Sequence, residues 1–476
     1  MMSLKSIDIS GSIASAKAHL QTDDSLSQST RSILSLLIVI IELFSAKFGA
    51  NSSNSSVPPS LDPNRPGKKK TPTGRKVGGQ PGHRGTTLKQ VSEPDEVVEV
   101  KVDRSTLPEG HTFSELQPEK RQVFDIHIKV HVTEYQVQVL KDEKGQLHKG
   151  VCPFPNLVQY GASVRGLVCY LSNFQMIPVE RISDFFEHQA GLPLSTGTIV
   201  NINTEAAASL SSFELIAKKE LISESVLNVD ETGLNVAGKK AWLHGASSPL
   251  WSLFCVSPKR GGAAMDEIGI LPNYHGVLVH DHWASYFKYD CIHAVCGAHL
   301  VRELTRIVED FSHKWPAAMI EHLYHMKKEV EAAPERKLPQ EKIVELIARY
   351  DEIIALGEKE SPPAETQEER KRGRKKQSRD RNLLVRMRDK KAETIRYMTH
   401  GDASFTNNLA ERDIRMTKVH QKISGCYRTM ESANSSCLIR SFISTCRKQG
   451  ICVSTALEDL FRGKLPAFKL KSTPSL

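Results

Sequence analysis

Four short apolar runs between residues 226 and 281 form the strongest hydrophobic pattern in this sequence. They begin at Val226, Ala241, Leu250 and Val277, and polar residues bound each of them. Short runs of this kind, rich in β-branched residues, are typical of buried strands. The order predicts three consecutive strands, a link with helical character and a fourth strand, which indicates an α/β domain.

A carboxylate follows the first run and another follows the last. Asp230 comes after Val226–Val229, and Asp281 comes after Val277–His280. In α/β sheets ligands bind beyond the carboxyl ends of the strands, so a metal site is one interpretation. The other is that both carboxylates cap loops or accept hydrogen bonds from backbone amides.

A third candidate carboxylate, Glu411, lies much further along the chain. The sequence TNNLAERDIR at 406–415 predicts a helix start with Asn408 as the N-cap. Helical spacing then places four charged residues on one stripe, namely Glu411, Arg415, Lys418 and Lys422. Three carboxylates can hold two hard divalent cations, and the basic stripe suits phosphates. The alternative is an exposed Glu–Arg pair with no chemical role.

Seven longer motifs run in order along most of the chain. They are NSSNSSVPP (51–59), GGQPGHRG (78–85), VDETG (229–233), HDHWASY (280–286), CGAHLVREL (296–304), RGRKKQ (372–377) and NNLAERDIR (407–415). Together they resemble the transposase of the bacterial insertion-sequence sixty-six family. The resemblance implies a ribonuclease H-like catalytic domain, a mixed sheet flanked by helices, with a helical insertion before the Glu of an Asp, Asp, Glu triad. The triad falls on Asp230, Asp281 and Glu411. Glu303 is a rival third ligand, because it follows Asp281 more closely.

The same resemblance implies a reaction. A transposase of this kind cleaves the ends of an insertion sequence and joins the freed 3′-hydroxyls to target DNA by metal-dependent phosphoryl transfer. The expected cofactors are two Mg²⁺ or Mn²⁺ ions per active site, held by the triad. The expected partners are transposon-end DNA, target DNA and further copies of the chain in a dimer or larger assembly, with small accessory proteins of the same element as additional candidates. Two alternatives stay open: a catalytically silent, sequence-specific DNA-binding protein, and a ribonuclease H-like nuclease without joining activity.

Positive charge is concentrated in two short segments. The chain carries a net charge of +9; residues 65–84 hold seven Lys or Arg and no acid, and residues 370–381 hold eight against one Asp. Concentrated basicity points to nucleic acid as a partner. The candidate DNA-binding residues are Lys68, Lys69, Lys70, Arg75, Lys76, Arg260, Arg372, Arg374, Lys375, Lys376, Arg415 and Lys418.

Composition, spacing and the family resemblance together predict a multidomain α/β protein, with the ribonuclease H-like core and its insertion taken from the resemblance. The expected divisions are an N-terminal helix or coiled coil (1–50), a basic Pro/Gly/Ser linker (51–92), a small β domain (93–150), a helical region (151–220), the first part of the ribonuclease H-like core (221–310), a helical insertion with a basic segment (311–400), and the last part of the core with a C-terminal tail (401–476). In 151–220, two helices around a short turn fit either a DNA-binding helix-turn-helix or simple packing against the core.

The small β domain departs from the family pattern. An apolar alternation from Phe124 to Val132 predicts a strand, and residues 142–145 predict a turn. Family members commonly carry Cys pairs for zinc in this region, yet residues 1–151 contain no Cys. Zinc is therefore not expected here, and the module is interpreted as a degenerate zinc-binding-like scaffold. Elsewhere, Cys296 and His299 have the spacing of half a zinc site, but with no obvious second pair they favour packing beside the active site.

The N-terminal region predicts one apolar helix. Residues 31–48 are apolar on most sides, so this helix either docks in a core or pairs with a second copy, whereas residues 1–30 are expected to fray. The apolar run 33–44 is too short to span a bilayer, and the nine Cys, without a CxxC pair, suit a reducing cytosol. We expect a cytoplasmic protein associated with the bacterial nucleoid and without a membrane segment.

Overall fold

A computed structural model describes residues 9–23, 25–49, 85, 87–363 and 377–471. Contacts divide the chain into a unit of residues 67–134 and a larger unit of residues 1–66 and 135–476. The two basic segments that the sequence singled out lie largely outside the described residues. The motifs that contain Asp230, Asp281 and Glu411 lie within the larger unit.

The larger unit is rich in helices. Those before the sheet are α1 (Ile9–Thr22), α2 (Gln28–Gly49), α3 (Ala162–Cys169), α4 (Val179–Ala190), α5 (Thr196–Ser209) and α6 (Ser211–Ile222). Those within and after it are α7 (Gly262–Ile268), α8 (Gly297–Asp310), α9 (Trp315–Ala332), α10 (Gln340–Glu360), α11 (Arg379–Asp389), α12 (Lys391–Thr394), α13 (Arg396–Thr399), α14 (Asn408–Ser424), α15 (Met430–Lys448) and α16 (Val453–Leu460). A π-helical turn, Tyr170–Phe174, continues α3.

The strands are β1 (Val139–Lys141), β2 (Leu147–Lys149), β3 (Val226–Val236), β4 (Lys239–Ser247), β5 (Ser252–Ser257), β6 (Val277–His280) and β7 (Ile292–Val295). The last five form one mixed sheet in the order β5-β4-β3-β6-β7. Strands β3, β4 and β5 pair antiparallel, whereas β3–β6 and β6–β7 pair parallel. The four strands predicted from the apolar runs are present, and β7 is an additional strand.

Apolar layers cover both faces of this sheet. On β6, Leu278 packs into a core shared with helices α3 to α6, α15 and α16, whereas Val277 and Val279 pack into a second core with α8 to α11. This alternation follows from the two-residue period of a strand. A smaller third core joins β3 and β4 to α14 through Leu234, Leu243 and Ile414. The sheet is therefore buried on both sides, as the continuous apolar runs indicate.

The helical region 151–220 packs on the core. Gly191 ends α4 in the left-handed conformation at φ 62°, and the Ser195 hydroxyl caps α5 by accepting a hydrogen bond from the Thr198 amide at 3.1 Å. Helix α5 contacts α15 and buries Ile199 and Ile202. This arrangement fits the packing alternative for the helix pair.

Two expectations about the N-terminal half differ from the structure. Residues 124–132 contain no strand among the described residues; Ile126 and Val132 are 90% and 83% exposed, because no neighbouring strand pairs with this stretch. The turn at 142–145 is present and joins β1 to β2. Residues 1–30 were expected to pack poorly or fray; helix α1 forms there and contacts α2, and none of its described side chains is buried. No helix in the described part of the chain is long and apolar enough to cross a membrane.

Candidate active site

Asp230 lies on β3, and Asp281 directly follows its parallel neighbour β6. The β3–β6 register pairs Val226 with Val277 and Asn228 with Val279, an offset in numbering that also separates Asp230 from Asp281. Residues opposite one another in a parallel pair project from the same face of the sheet. Asp281 follows the end of β6, as predicted. Asp230 does not end its strand, because β3 continues to Val236 through its antiparallel pairing with β4.

Glu411 joins the two aspartates from α14. This helix packs across β3 and β4, and Ile414 contacts Gly245 so closely that a Cβ there would lie 2.9 Å from Ile414. Glu411 stands in the first turn of the helix. The pKa of Asp230 is raised well above its ordinary value, first by burial and then by the negative charges of Glu231, Glu411 and Asp281. Two carboxylates that are distant in sequence therefore act on Asp230 in the fold.

A pair of asparagines connects the start of α14 to β3. The Asn407 side-chain amide donates to the Val229 carbonyl at 2.7 Å, and the Asn228 side-chain amide donates to the Asn407 side-chain oxygen at 2.9 Å. Asn407 is 1% exposed and, in place of the predicted Asn408, is the N-cap residue of α14, although its side chain makes no capping bond. The side chain instead holds the two elements that carry Asp230 and Glu411.

Cys296 and His299 lie against Glu411. The Cys296 thiol is 3.9 Å and the His299 Nδ1 is 3.8 Å from Glu411 Oε1, and the three groups offer ligand atoms within 4.8 Å of one another. The backbone amide of Asn407 donates to the Cys296 sulfur at 3.2 Å. Burial raises the pKa of the Cys296 thiol to about 11. The CxxH spacing thus places a thiol and an imidazole beside the third carboxylate, which fits the packing interpretation.

The comparison with known families decides the identity. The profile described as Transposase IS66 family matches residues 158–435, which is more than half of the chain and spans all three carboxylates. The chain belongs to this transposase family. No curated protein matches the sequence. The family confirms the resemblance found in the motifs, and it makes DNA the partner of the transposase.

Glu303, the rival third carboxylate of the transposase, is engaged elsewhere. Its side chain forms an ion pair with Arg386 of α11. Glu303 is absent from the charges that raise the pKa of Asp230, whereas Glu411 is among them. The electrostatic neighbourhood of Asp230 therefore favours Glu411.

Most of the predicted DNA-binding residues of the transposase lie outside the described residues. These are Lys68, Lys69, Lys70, Arg75, Lys76, Arg372, Arg374, Lys375 and Lys376. Arg415 is described and exposed one turn after Glu411. The Lys418 ammonium instead donates to the Gly233 carbonyl of β3, and burial lowers its pKa. A phosphate contact from Lys418 would require this bond to break.

Arg260 is bound within the protein. Its guanidinium pairs with Glu231, whose side chain is 1% exposed, and Glu231 also accepts a hydrogen bond from the Tyr286 hydroxyl. Glu231 follows Asp230 on β3, so the pair stands beside the first of the three candidate carboxylates. The Arg260 side chain remains 40% exposed.

Sequence reasoning missed three groups that shape the site of the transposase. Asn407 and Asp413 flank Glu411 and fix α14, and Trp283 donates its backbone amide to Asp281 at 2.9 Å. The double Asn before the predicted helix was a usable signal, since only one of the two can cap. Nothing local marks Asp413, because its partners are about 160 residues away or on α15.

Proposed function

We propose that this protein is a DNA transposase that cleaves the ends of an insertion sequence and joins the 3′-hydroxyls to target DNA. The observation that carries the proposal is that Asp281 and Glu411, far away in sequence, are among the negative charges that raise the pKa of Asp230, all within the family-matched region. Only the transposase family itself is established. The ribonuclease H-like assignment is supported by the mixed five-stranded sheet with helices on both faces.

The carboxylates fit a divalent metal site. Burial and three neighbouring negative charges raise the pKa of Asp230, so a bound cation would relieve a repulsion that the protein alone leaves in place. Carboxylate oxygens are the ligands that Mg²⁺ and Mn²⁺ prefer. We propose that Asp230, Asp281 and Glu411 hold two such ions. When bound, the ions activate water or a 3′-hydroxyl and stabilise the leaving oxygen of the phosphodiester.

The chain's own residues orient this chemistry. Asn407 fixes the spacing between β3 and α14, and Cys296 and His299 pack against Glu411. The exposed Arg415 is placed to contact a phosphate of the bound strand. The proposed division of labour keeps the catalytic core in residues 221–310 and 401–476, with the insertion 311–400 and the linker 51–92 supplying further basic contacts to DNA. The small β domain (93–150) and the helical region (151–220) precede this core.

Assembly follows from the reaction. Two ends of one element must be processed together, so we propose a homodimer or larger assembly on DNA, in the bacterial cytoplasm with the nucleoid. Small accessory proteins of the same element are candidate partners.

The test is a cleavage and joining assay on DNA that carries the ends of the element. Reactions with Mg²⁺ or Mn²⁺ are compared with reactions in EDTA, using wild type, Asp230→Asn, Asp281→Asn and Glu411→Gln. The matched control is Glu303→Gln, which removes a carboxylate that we place outside the triad. We expect joined products that need metal, vanish in the three triad variants and persist in the control.

Each other outcome selects a different function. Cleavage without joined products would identify a nuclease. Sequence-specific binding without any metal-dependent product would identify a catalytically silent DNA-binding protein. Loss of products in Glu303→Gln with activity kept in Glu411→Gln would move the third ligand to Glu303.

A further inference from the structure

A group of cationic and aromatic side chains lies beside the carboxylates. The Arg260 guanidinium carbon is 4.2 Å from the ring centroid of Trp283 and 4.8 Å from that of Trp242. The Lys240 ammonium is 4.4 Å from the Trp242 centroid. Lys240, Trp242, Arg260 and Trp283 together are called the tryptophan–arginine cluster.

One backbone hydrogen bond and one ion pair connect this cluster to residues of the candidate site. Trp283 is two residues after Asp281, and its amide donates to Asp281 Oδ1 at 2.9 Å. Arg260 is paired with Glu231, which follows Asp230. Movement at the cluster and the position of both aspartates are therefore linked through short connections.

The tryptophans of the cluster are more exposed than the other two tryptophans of the chain. Trp251 and Trp315 are 1% and 0% exposed and belong to the apolar cores. Trp242 and Trp283 are only partly buried, and Lys240 is exposed. Packing in a hydrophobic core does not require cations next to the tryptophan rings. Partly exposed aromatic rings with adjoining cations are the features that bind the bases and phosphates of unpaired nucleic acid.

We propose that the tryptophan–arginine cluster binds an unpaired nucleotide of the DNA strand at the reaction centre. The base stacks on the exposed part of a tryptophan ring, and Lys240 and Arg260 attract the adjoining phosphates. The preferred substrate is then DNA with unpaired nucleotides at the reacting end rather than fully paired duplex. The proposal takes DNA as the partner from the proposed function, but it requires no cleavage.

The test is a binding assay in EDTA with the full-length protein. Fluorescently labelled duplexes that carry the ends of the element are prepared either blunt or with a four-nucleotide single-stranded extension, and dissociation constants are measured by anisotropy. The variants are Trp283→Leu, which keeps apolar volume without an aromatic ring, and Trp283→Phe, which keeps a ring. The matched control is Tyr324→Leu on α9, an aromatic residue that is 51% exposed outside the cluster.

We expect wild type to bind the extended duplex more tightly than the blunt one. Trp283→Leu should weaken binding of the extended duplex about 10-fold, the size of one lost base stack, with little change for the blunt duplex. Trp283→Phe should retain most of the preference, and Tyr324→Leu all of it. Equal affinity of wild type for the two duplexes, or an equal loss on both in Trp283→Leu, would overturn the proposal.

A second measurement uses only the wild-type protein, so it does not depend on the folding of a variant. Two of the four tryptophans are buried and two belong to the cluster, so stacking of a base should quench part of the intrinsic fluorescence. A single-stranded oligothymidylate of twelve nucleotides is titrated into wild-type protein in EDTA. Saturable quenching supports the cluster, and an unchanged emission at saturating oligonucleotide refutes it. Because neither assay depends on metal or product, failure of the cleavage assay leaves both results interpretable.

Discussion

The Asn407 side-chain amide donates a hydrogen bond of 2.7 Å to the backbone carbonyl of Val229, the residue before Asp230. This single bond connects the start of the helix that bears Glu411 to the strand that bears Asp230. The Asn228 amide completes the link by donating to Asn407. The position of the third carboxylate relative to the first therefore depends on a buried amide pair rather than on helix capping.

Replacing Asn407 should reduce both stability and activity. We expect Asn407→Ala to leave the Asn228 amide without its partner, to lower the free energy of unfolding by about 1–3 kcal/mol, and to reduce strand transfer at least 10-fold. Urea unfolding and the joining assay measure the two effects. Asn408→Ala, at an exposed neighbour, is the control and should change neither. Equal activity of the two variants would show that the link does not position Glu411.

The pair formed by Asp413 and Lys448 should dominate the stability of α14. Their side chains are 10% and 11% exposed and 2.7 Å apart, and the Ser247 and Ser252 hydroxyls also donate to Asp413. We expect Asp413→Asn to cost about 3–5 kcal/mol, because it leaves the Lys448 ammonium buried without its counter-charge. The double variant Asp413→Asn, Lys448→Met should be less destabilised than the single variant in urea unfolding. If the destabilisations of the two single variants add up strictly in the double variant, the ion pair does not stabilise α14.

The contact between Gly297 and Phe405 should tolerate no side chain. A Cβ on Gly297 would lie 2.3 Å from the Phe405 ring, whose loop leads directly to α14. We expect Gly297→Ala to lower the unfolding free energy by about 1–3 kcal/mol and to reduce joining. Gly197→Ala on α5, where the nearest atom is 3.8 Å away, is the matched control and should be neutral or stabilising. A smaller residue at position 405, as in Phe405→Leu, should partly restore the Gly297→Ala variant.

The raised pKa of Asp230 predicts how stability depends on metal. The pKa of Asp230 is higher in the folded than in the unfolded protein, so the ionised carboxylate destabilises the fold at neutral pH. This destabilisation disappears as the pH falls and the carboxylate is protonated. In EDTA at pH 7, Asp230→Asn should therefore melt at a higher temperature than wild type. Adding Mn²⁺ should stabilise wild type more than the variant and should release protons, which calorimetry in buffers of different ionisation enthalpy detects. A lower melting temperature of the variant in EDTA would contradict the assigned repulsion.

Local pattern was sufficient for four of the five strands of the mixed sheet. The apolar runs predicted β3, β4, β5 and β6 because these strands are buried on both faces. Strand β7 escaped because it begins with an exposed Ile292 and contains His293, so that it lacks a continuous apolar run. The strand predicted at 124–132 was wrong, because this stretch has the two-residue period of a strand but no partner strand among the described residues.

By itself the sequence determined the family, the buried strands and which carboxylates were candidates, because these properties follow from residue type and short-range periodicity. Only the tertiary structure decided that the strands leading to Asp230 and Asp281 are parallel neighbours, that Glu411 rather than Glu303 is among the charges acting on Asp230, and that Arg260 is held by Glu231. These relationships join residues from 29 to 181 positions apart in the numbering of the chain. No local pattern carries them, since they arise from strand register and helix packing.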